Sequence, residues 1–302
     1  MTYLKTLLSV GLLLALAWLV DYFIGWQSVF APWQNLPIFQ VVLATGLLFL
    51  TYAIRASRLI QYFRLHQPAQ VLGCARLMLL HNFWNNLLPM RSGEASFPIL
   101  MQSQFQIGLS QSLPALLWFR ILDLHTLLLL VLIAFASLWL NLWQVVFVTF
   151  LWLTVPWLLY RLQTPISKRV NQQHKIGKIL HKILLGLPQN QTQFTWSWFW
   201  TLFNWSLKLL MLAWILSWFV EIDFNLAMLG AAGGELSSVL PIHGIGGFGT
   251  YEAGIWLALS QLSLEQNSIL SAAINLHLIL LSSSIISAAF ALLLPKNQAH
   301  SS

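Results

Sequence analysis

Long apolar runs, at roughly 4–24, 37–54, 113–138, 142–160, 196–220 and 268–294, recur along the chain with almost no charge inside them. A helix of about 20 apolar residues crosses the ~30 Å hydrocarbon core of a bilayer. Hydrophobic residues make up 58% of the 302 residues and charged residues 8%, whereas soluble domains carry about 25% charged residues. Such a chain has too few polar groups to cover a surface facing water. The sequence therefore predicts an all-α integral membrane protein, a single polytopic domain over 1–302.

The N-terminus has features of a signal peptide. Lys5 precedes an apolar run, and Ala15-Leu16-Ala17 resembles a cleavage site. The run continues through Trp18 to Ile24, so 4–24 is read as a retained first helix.

Two further stretches, 71–112 and 226–262, are apolar but interrupted. The first holds Asn82, Asn85, Asn86, Pro89, Arg91, Gly93 and Glu94. The second holds Glu235, Pro241, His243, Gly244, Gly246, Gly247, Gly249 and Glu252. A straight helix facing lipid tolerates neither set, because irregular backbone at membrane depth must be buried in protein or line a cavity.

Basic residues set the orientation. Arg55, Arg58, Arg64 and Arg76 flank or lie in one loop. A basic connector over 161–195 carries Arg161, Lys168, Arg169, Lys175, Lys178 and Lys182. Lys5 and Lys296 mark the ends, whereas Asp21, Glu221, Asp223 and Glu265 fall in the remaining loops. The positive-inside rule places the basic group and both termini in the cytoplasm. For the spans to alternate, 71–112 must enter and leave on the cytoplasmic side with its tip near Pro89. Likewise 226–262 must enter and leave on the outer side, with its tip near Pro241 to Gly249.

The expected architecture is thus about six full spans plus two re-entrant helical hairpins. Residues 1–138 and 142–294 form two halves related as inverted repeats, an arrangement shared by many secondary transporters. Two ordinary kinked helix pairs that each cross fully are the alternative. Over 175–185, Ile176, Ile179, Leu180, Ile183 and Leu184 recur at helical spacing with Lys175, Lys178 and Lys182 between them, as in a helix lying on the inner leaflet; a plain connector is the other reading.

Charges at membrane depth persist when paired or hydrated, so they are the candidate site. Arg120 and Asp123 share a helix face at i,i+3, either as an internal ion pair that fixes packing or as a substrate contact. Arg91, at a break, offers a fork suited to phosphate, or it satisfies the carbonyls of the break. Glu252 is either a proton acceptor or the cap of the helix after the glycine turn. His81, His125, His243 and His277 lack metal-ligand spacing and are read as hydrogen-bonded helix residues, with His243 at a tip. Lys208 is read as paired or snorkelling. The glycines at 244–249 have no preceding strand and no following Lys-Ser/Thr, which excludes a nucleotide loop. No nucleophile–base pair, metal cluster or cofactor motif stands out, and the net charge of +7 reports topology and anionic lipid rather than nucleic acid. Cys74 is the sole cysteine, so no intrachain disulfide is possible.

Asn85-Asn86-Leu87-Leu88-Pro89-Met90-Arg91-Ser92-Gly93-Glu94, then Arg120-Ile121-Leu122-Asp123, then Glu235 through Pro241 with Gly246, Gly247, Gly249 and Glu252, resemble the lysylphosphatidylglycerol synthase transmembrane region. That flippase-like family includes the membrane half of the bacterial multiple peptide resistance factor. The resemblance covers most of the chain. It implies lipid translocation or lipid-linked processing in a bacterial or archaeal inner membrane. Phe119 stands where the family often has Glu. No aminoacyltransferase domain follows in these 302 residues, so lysine transfer by this chain alone is not expected.

The expected substrate-binding residues are Asn85, Asn86, Arg91, Glu94, Arg120, Asp123, Glu235, His243, Gly246, Gly247 and Glu252. The expected ligand is a membrane lipid, anionic or carrying a lipid phosphate, moved between leaflets without a cofactor. The alternative is a non-catalytic partner that presents lipid to a separate lipid-modifying enzyme.

Overall fold

The computed structural model describes residues 18, 20–22, 24–136, 139–170, 173–185, 187–239, 245–260 and 265–295. The expected first span, 4–24, lies largely outside these residues, as do Lys5, Lys296 and the segment from Pro241 to Gly244. The described residues are mostly helical, with no strand among them. After a short helical segment at 26–35 come α1 (Ile38–Phe63), α2 (Pro68–Leu87), α3 (Ser96–Phe105) and α4 (Leu109–Ala136). They are followed by α5 (Leu142–Arg169), α6 (Lys175–Leu185), α7 (Gln191–Leu216), α8 (Phe224–Val239), α9 (Thr250–Leu259) and α10 (Gln266–Leu293).

Five of these helices, α1, α4, α5, α7 and α10, are long and apolar enough to cross a membrane. Each has 26 or 28 residues, or about 40 Å at 1.5 Å per residue. The chain is an all-α multi-pass membrane protein. In α5, Leu142, Trp143, Phe147, Phe150, Trp157 and Leu162 are all exposed, a surface that water would not tolerate and lipid would. Its start is fixed by a capping box. Asn141 Oδ1 accepts from the Gln144 N–H, and Gln144 Oε1 accepts from the Asn141 N–H.

Both interrupted stretches fold as helix, break, helix. After α2 the chain tightens into a 3₁₀ segment over Pro89–Ala95 before α3. After α8 another 3₁₀ turn, Ile245–Gly247, precedes α9. Gly246, Gly247 and Gly249 all take positive φ, which β-carbon sterics would penalise. Each second arm has 10 residues, about 15 Å, half of the hydrocarbon core.

The chain divides into two compact units. One comprises Met1–Thr51, Asn82–Glu94 and Leu207–Ala289; the other comprises Tyr52–His81, Ala95–Ser206 and Phe290–Ser302. Within the first unit, α8 and α9 pack backbone to backbone. A β-carbon on Gly233 would lie 2.3 Å from the Gly254 carbonyl oxygen, and one on Gly254 would lie 2.4 Å from the Gly233 oxygen. Small residues permit this approach where apolar burial gives no drive between helices. Gly93 is confined in the same way, since a β-carbon there would meet the Trp84 oxygen at 2.2 Å. The second unit is built round Leu59, Leu77, Phe97, Met101, Trp118 and Leu122, all nearly inaccessible, with Cys74 buried beside them.

The first basic group is divided between one connection and the helices that flank it. α1 continues past the apolar run to Phe63, so Arg55 and Arg58 lie on that helix, and Arg76 lies on α2. Arg58 and Arg76 are buried. Of the four, Arg64 alone falls in the connection between the helices. The charge pattern could not distinguish a helix continued into a polar pocket from a helix ending in a loop.

Candidate functional site

In the first unit the breaks of the two helix pairs are bonded to each other. Arg91, held at φ +55°, donates from Nη1 to the Val239 carbonyl oxygen (2.7 Å) and from Nη2 to Glu94 Oε1 (2.8 Å). Its guanidinium thus satisfies a carbonyl at the last residue of α8, the structural alternative read from the sequence.

Beside these breaks lies a cavity of about 50 Å³. Asn85 and Asn86 reach it from α2, Lys208 from α7, Glu235 from α8, Tyr251 from α9 and His277 from α10. Gly246, at the turn, completes the wall. Lys208 Nζ donates to Glu235 Oε2 at 2.8 Å, with the carboxylate buried. Asn86 Nδ2 donates to Ser284 Oγ at 2.6 Å. Asn85 Oδ1 and Tyr251 Oη are buried and have no hydrogen-bond partner among the described residues. Buried polar atoms are rarely left so, and these two lie on residues lining one cavity.

Glu252 caps the helix after the glycine turn, one of the two roles considered for it, and it also meets His277. Its Oε2 accepts from the Gly249 N–H (2.7 Å) at the start of α9, and its Oε1 lies 2.6 Å from His277 Nδ1. Gly247 belongs to the same turn, and its carbonyl accepts from Thr250 Oγ1. His243 lies outside the described residues.

A separate ionic cluster occupies the second unit. Asp123, on α4, receives Arg58 Nη1 (2.7 Å) and Trp205 Nε1 (3.0 Å) on Oδ1 and Arg120 Nη1 (3.3 Å) on Oδ2. Arg55 Nη2 stands 3.9 Å from Oδ2. Arg58 also donates to Thr201 Oγ1 and lies 4.4 Å above the Phe119 ring. Phe119, which departs from the resembled pattern, therefore supplies a cation–π face. His81 Nδ1 is 2.8 Å from Ser96 Oγ, and its Nε2 is 3.4 Å from Arg120 Nη2. His125 Nε2 is 2.9 Å from the Trp152 carbonyl oxygen, so His81, His125 and His277 are all hydrogen-bonded helix residues.

The sequence profile described as the lysylphosphatidylglycerol synthase TM region matches residues 6–287. The chain belongs to this family. The region the family describes is the membrane domain of the synthase rather than its catalytic part, and the association is with membrane lipid. No curated protein and no solved structure matches the chain.

The residues singled out from the sequence thus fall into separate places in this family member. Asn85, Asn86, Glu235 and Gly246 line the cavity, with Gly247 and Glu252 at the adjoining turn. Arg91 and Glu94 pair at the break, and Arg120 and Asp123 belong to the second unit. Sequence reasoning did not place Lys208, Tyr251 and His277 on the cavity, or Arg55, Arg58 and His81 in the arginine cluster. An isolated cation such as Lys208 inside an apolar run, and the i,i+3 spacing of Arg55 and Arg58, were the available signals.

Proposed function

We propose that this chain moves an anionic phospholipid or lipid-linked substrate between the leaflets of a bacterial or archaeal inner membrane. The observation that carries this reading is the first-unit cavity, where Lys208 and Glu235 accompany two unsatisfied polar atoms, Asn85 Oδ1 and Tyr251 Oη. Ionisable groups at membrane depth are costly, and they mark paths for polar cargo. At about 50 Å³ the cavity admits a few waters rather than a whole headgroup. A headgroup therefore enters only when the helix breaks separate. Lys208 then exchanges Glu235 for the lipid phosphate, and Asn85 and Tyr251 hydrogen-bond its polar arms. Glu252 and His277 balance charge beside it.

In this reading 71–112 and 226–262 are re-entrant from opposite faces, the halves 1–138 and 142–294 are inverted repeats, and both termini are cytoplasmic. The short second arms, α3 and α9, support it because neither can cross the bilayer alone. The test is reconstitution into liposomes with a fluorescent anionic lipid, followed by chemical quenching of the outer leaflet. Protein-dependent loss of the protected fraction is expected. If labelled lipid stays in its leaflet with and without a proton gradient, the proposal fails.

The family described is the membrane region of an enzyme, which favours one second reading: a non-catalytic partner that presents lipid to a separate lipid-modifying enzyme. Lipid modification that appears only when both proteins share a membrane, with no movement by this chain alone, would select it.

A further inference from the structure

We propose that His277 is a proton-binding site on the first-unit cavity, with Glu252 as its counter-ion. The ring meets the Glu252 carboxylate through Nδ1 at 2.6 Å, and both side chains are buried. Its other nitrogen, Nε2, makes no hydrogen bond among the described residues, although His277 lines the cavity. The cavity, at about 50 Å³, holds a few waters. A histidine with one nitrogen fixed by a carboxylate and the other left to water can take up and return a proton. Tyr251 Oη and Asn85 Oδ1, on the same wall and without partners among the described residues, are the groups that such waters would satisfy.

Phe248 and Tyr251 stand with ring centroids 4.8 Å and 4.6 Å from that of His277. At such separations an aromatic face attracts a cation, so a charged ring has partners besides Glu252. The other titratable or charged groups facing it across the cavity, among the described residues, are Tyr251 on α9, Lys208 on α7 and Glu235 on α8, the last two paired at 2.8 Å. α2 brings Asn85 and Asn86, which do not titrate. With the carboxylate ionised, uptake of one proton from cavity water takes the His277–Glu252 pair from one negative charge to none. A phosphate entering beside it then meets no repulsion from that pair. The pair also reaches the glycine turn, because Glu252 accepts from the Gly249 N–H. Hydrogen bonds between charged groups are about twice as strong as neutral ones, so proton uptake tightens α10 on the start of α9. Occupancy of this site thus couples lipid movement to protons. The coupling rests on the transport reading above; the proton site does not.

The experiment uses the full chain, its histidines isotope-labelled at the ring nitrogens, in liposomes. Ring-nitrogen magnetic resonance, which distinguishes imidazole from imidazolium, is followed from about pH 5 to 8, where histidine ordinarily changes charge. His277→Gln removes one set of signals and so assigns it. His277→Asn, which keeps a donor for Glu252, serves if that variant fails to fold. The assigned ring should pass from imidazolium to imidazole within this range. In Glu252→Gln its ratio of imidazolium to imidazole at a given pH should fall about tenfold or more, the effect of losing a neighbouring opposite charge. A ring that keeps one charge state throughout overturns the proposal, as does one indifferent to Glu252→Gln. Fluorescent anionic lipid in the same liposomes separates the two readings. Titration of His277 without lipid movement sustains the proton site and sinks the transport reading; lipid movement with a ring that never titrates does the reverse. Where both occur, acid on the side the lipid leaves should speed its movement, and His277→Gln should erase that response. A rate indifferent to acid overturns the coupling.

Discussion

The Arg91 guanidinium donates to the Val239 carbonyl oxygen across 2.7 Å, so the break after α2 is bonded to the C-terminal end of α8. The same group holds Glu94 at 2.8 Å. Arg91→Ala removes both contacts and leaves a carbonyl and a carboxylate short of a donor, a loss of about 1–3 kcal/mol. Thermal unfolding in detergent should show that loss, with Arg91→Lys between the two because ammonium cannot span both acceptors as a fork. If Arg91→Ala were as stable as the native chain, the breaks would not be tied through this residue.

Lys208 and Glu235 form an ion pair on the cavity wall. Removing one partner, as in Lys208→Met or Glu235→Gln, strands a buried group and should cost about 3–5 kcal/mol for a fully buried pair. Lys208 is 16% exposed, so the lower end is expected after screening. The double variant should recover much of that stability while losing lipid movement in liposomes. Stability and transport recovering together would assign the pair to packing alone.

The parts of the fold that sequence revealed are those where backbone chemistry leaves little choice. Pro89 with Gly93, and the run Gly246, Gly247, Gly249, announced breaks in otherwise apolar helices, and 3₁₀ turns with positive φ occur there. The pairing of Glu235 with Lys208 was not legible, because α7 and α8 are apolar on all sides and give no periodic face to orient. The partners of Arg55 and Arg58 were hidden for a related reason. Two arginines after an apolar run read as flanking or lying in a loop by the positive-inside rule, and Asp123 and the Phe119 ring, more than 60 residues away, give them partners on a helix. Partners that distant in sequence leave no local trace.

Glycine contacts provide a contrast between two positions. At Gly233 an added methyl meets the Gly254 oxygen at 2.3 Å, so Gly233→Ala must part α8 from α9. A loss of about 1–3 kcal/mol is expected, as for overpacking elsewhere. At Gly46, within α1, an added methyl meets nothing within 4 Å. Gly46→Ala should therefore gain roughly 0.5–1 kcal/mol from helix propensity alone. Paired unfolding measurements check both signs.

Topology can be read with the chain's own chemistry. Cys74 is buried, so the native protein should resist a membrane-impermeant maleimide and serve as the blank. Gln67 and Gln106 flank the first broken pair, Glu221 and Glu265 flank the second, and all four are exposed. If each pair of helices returns to the face it left, cysteines at positions 67 and 106 should label only from the cytoplasmic side. Cysteines at positions 221 and 265 should label only from the outer side. The arms α3 and α9, at 10 residues each, reach about 15 Å and cannot carry their ends across ~30 Å of hydrocarbon. Opposite labelling of positions 67 and 106, or of positions 221 and 265, would mean that the pair crosses completely, and the re-entrant reading would be withdrawn.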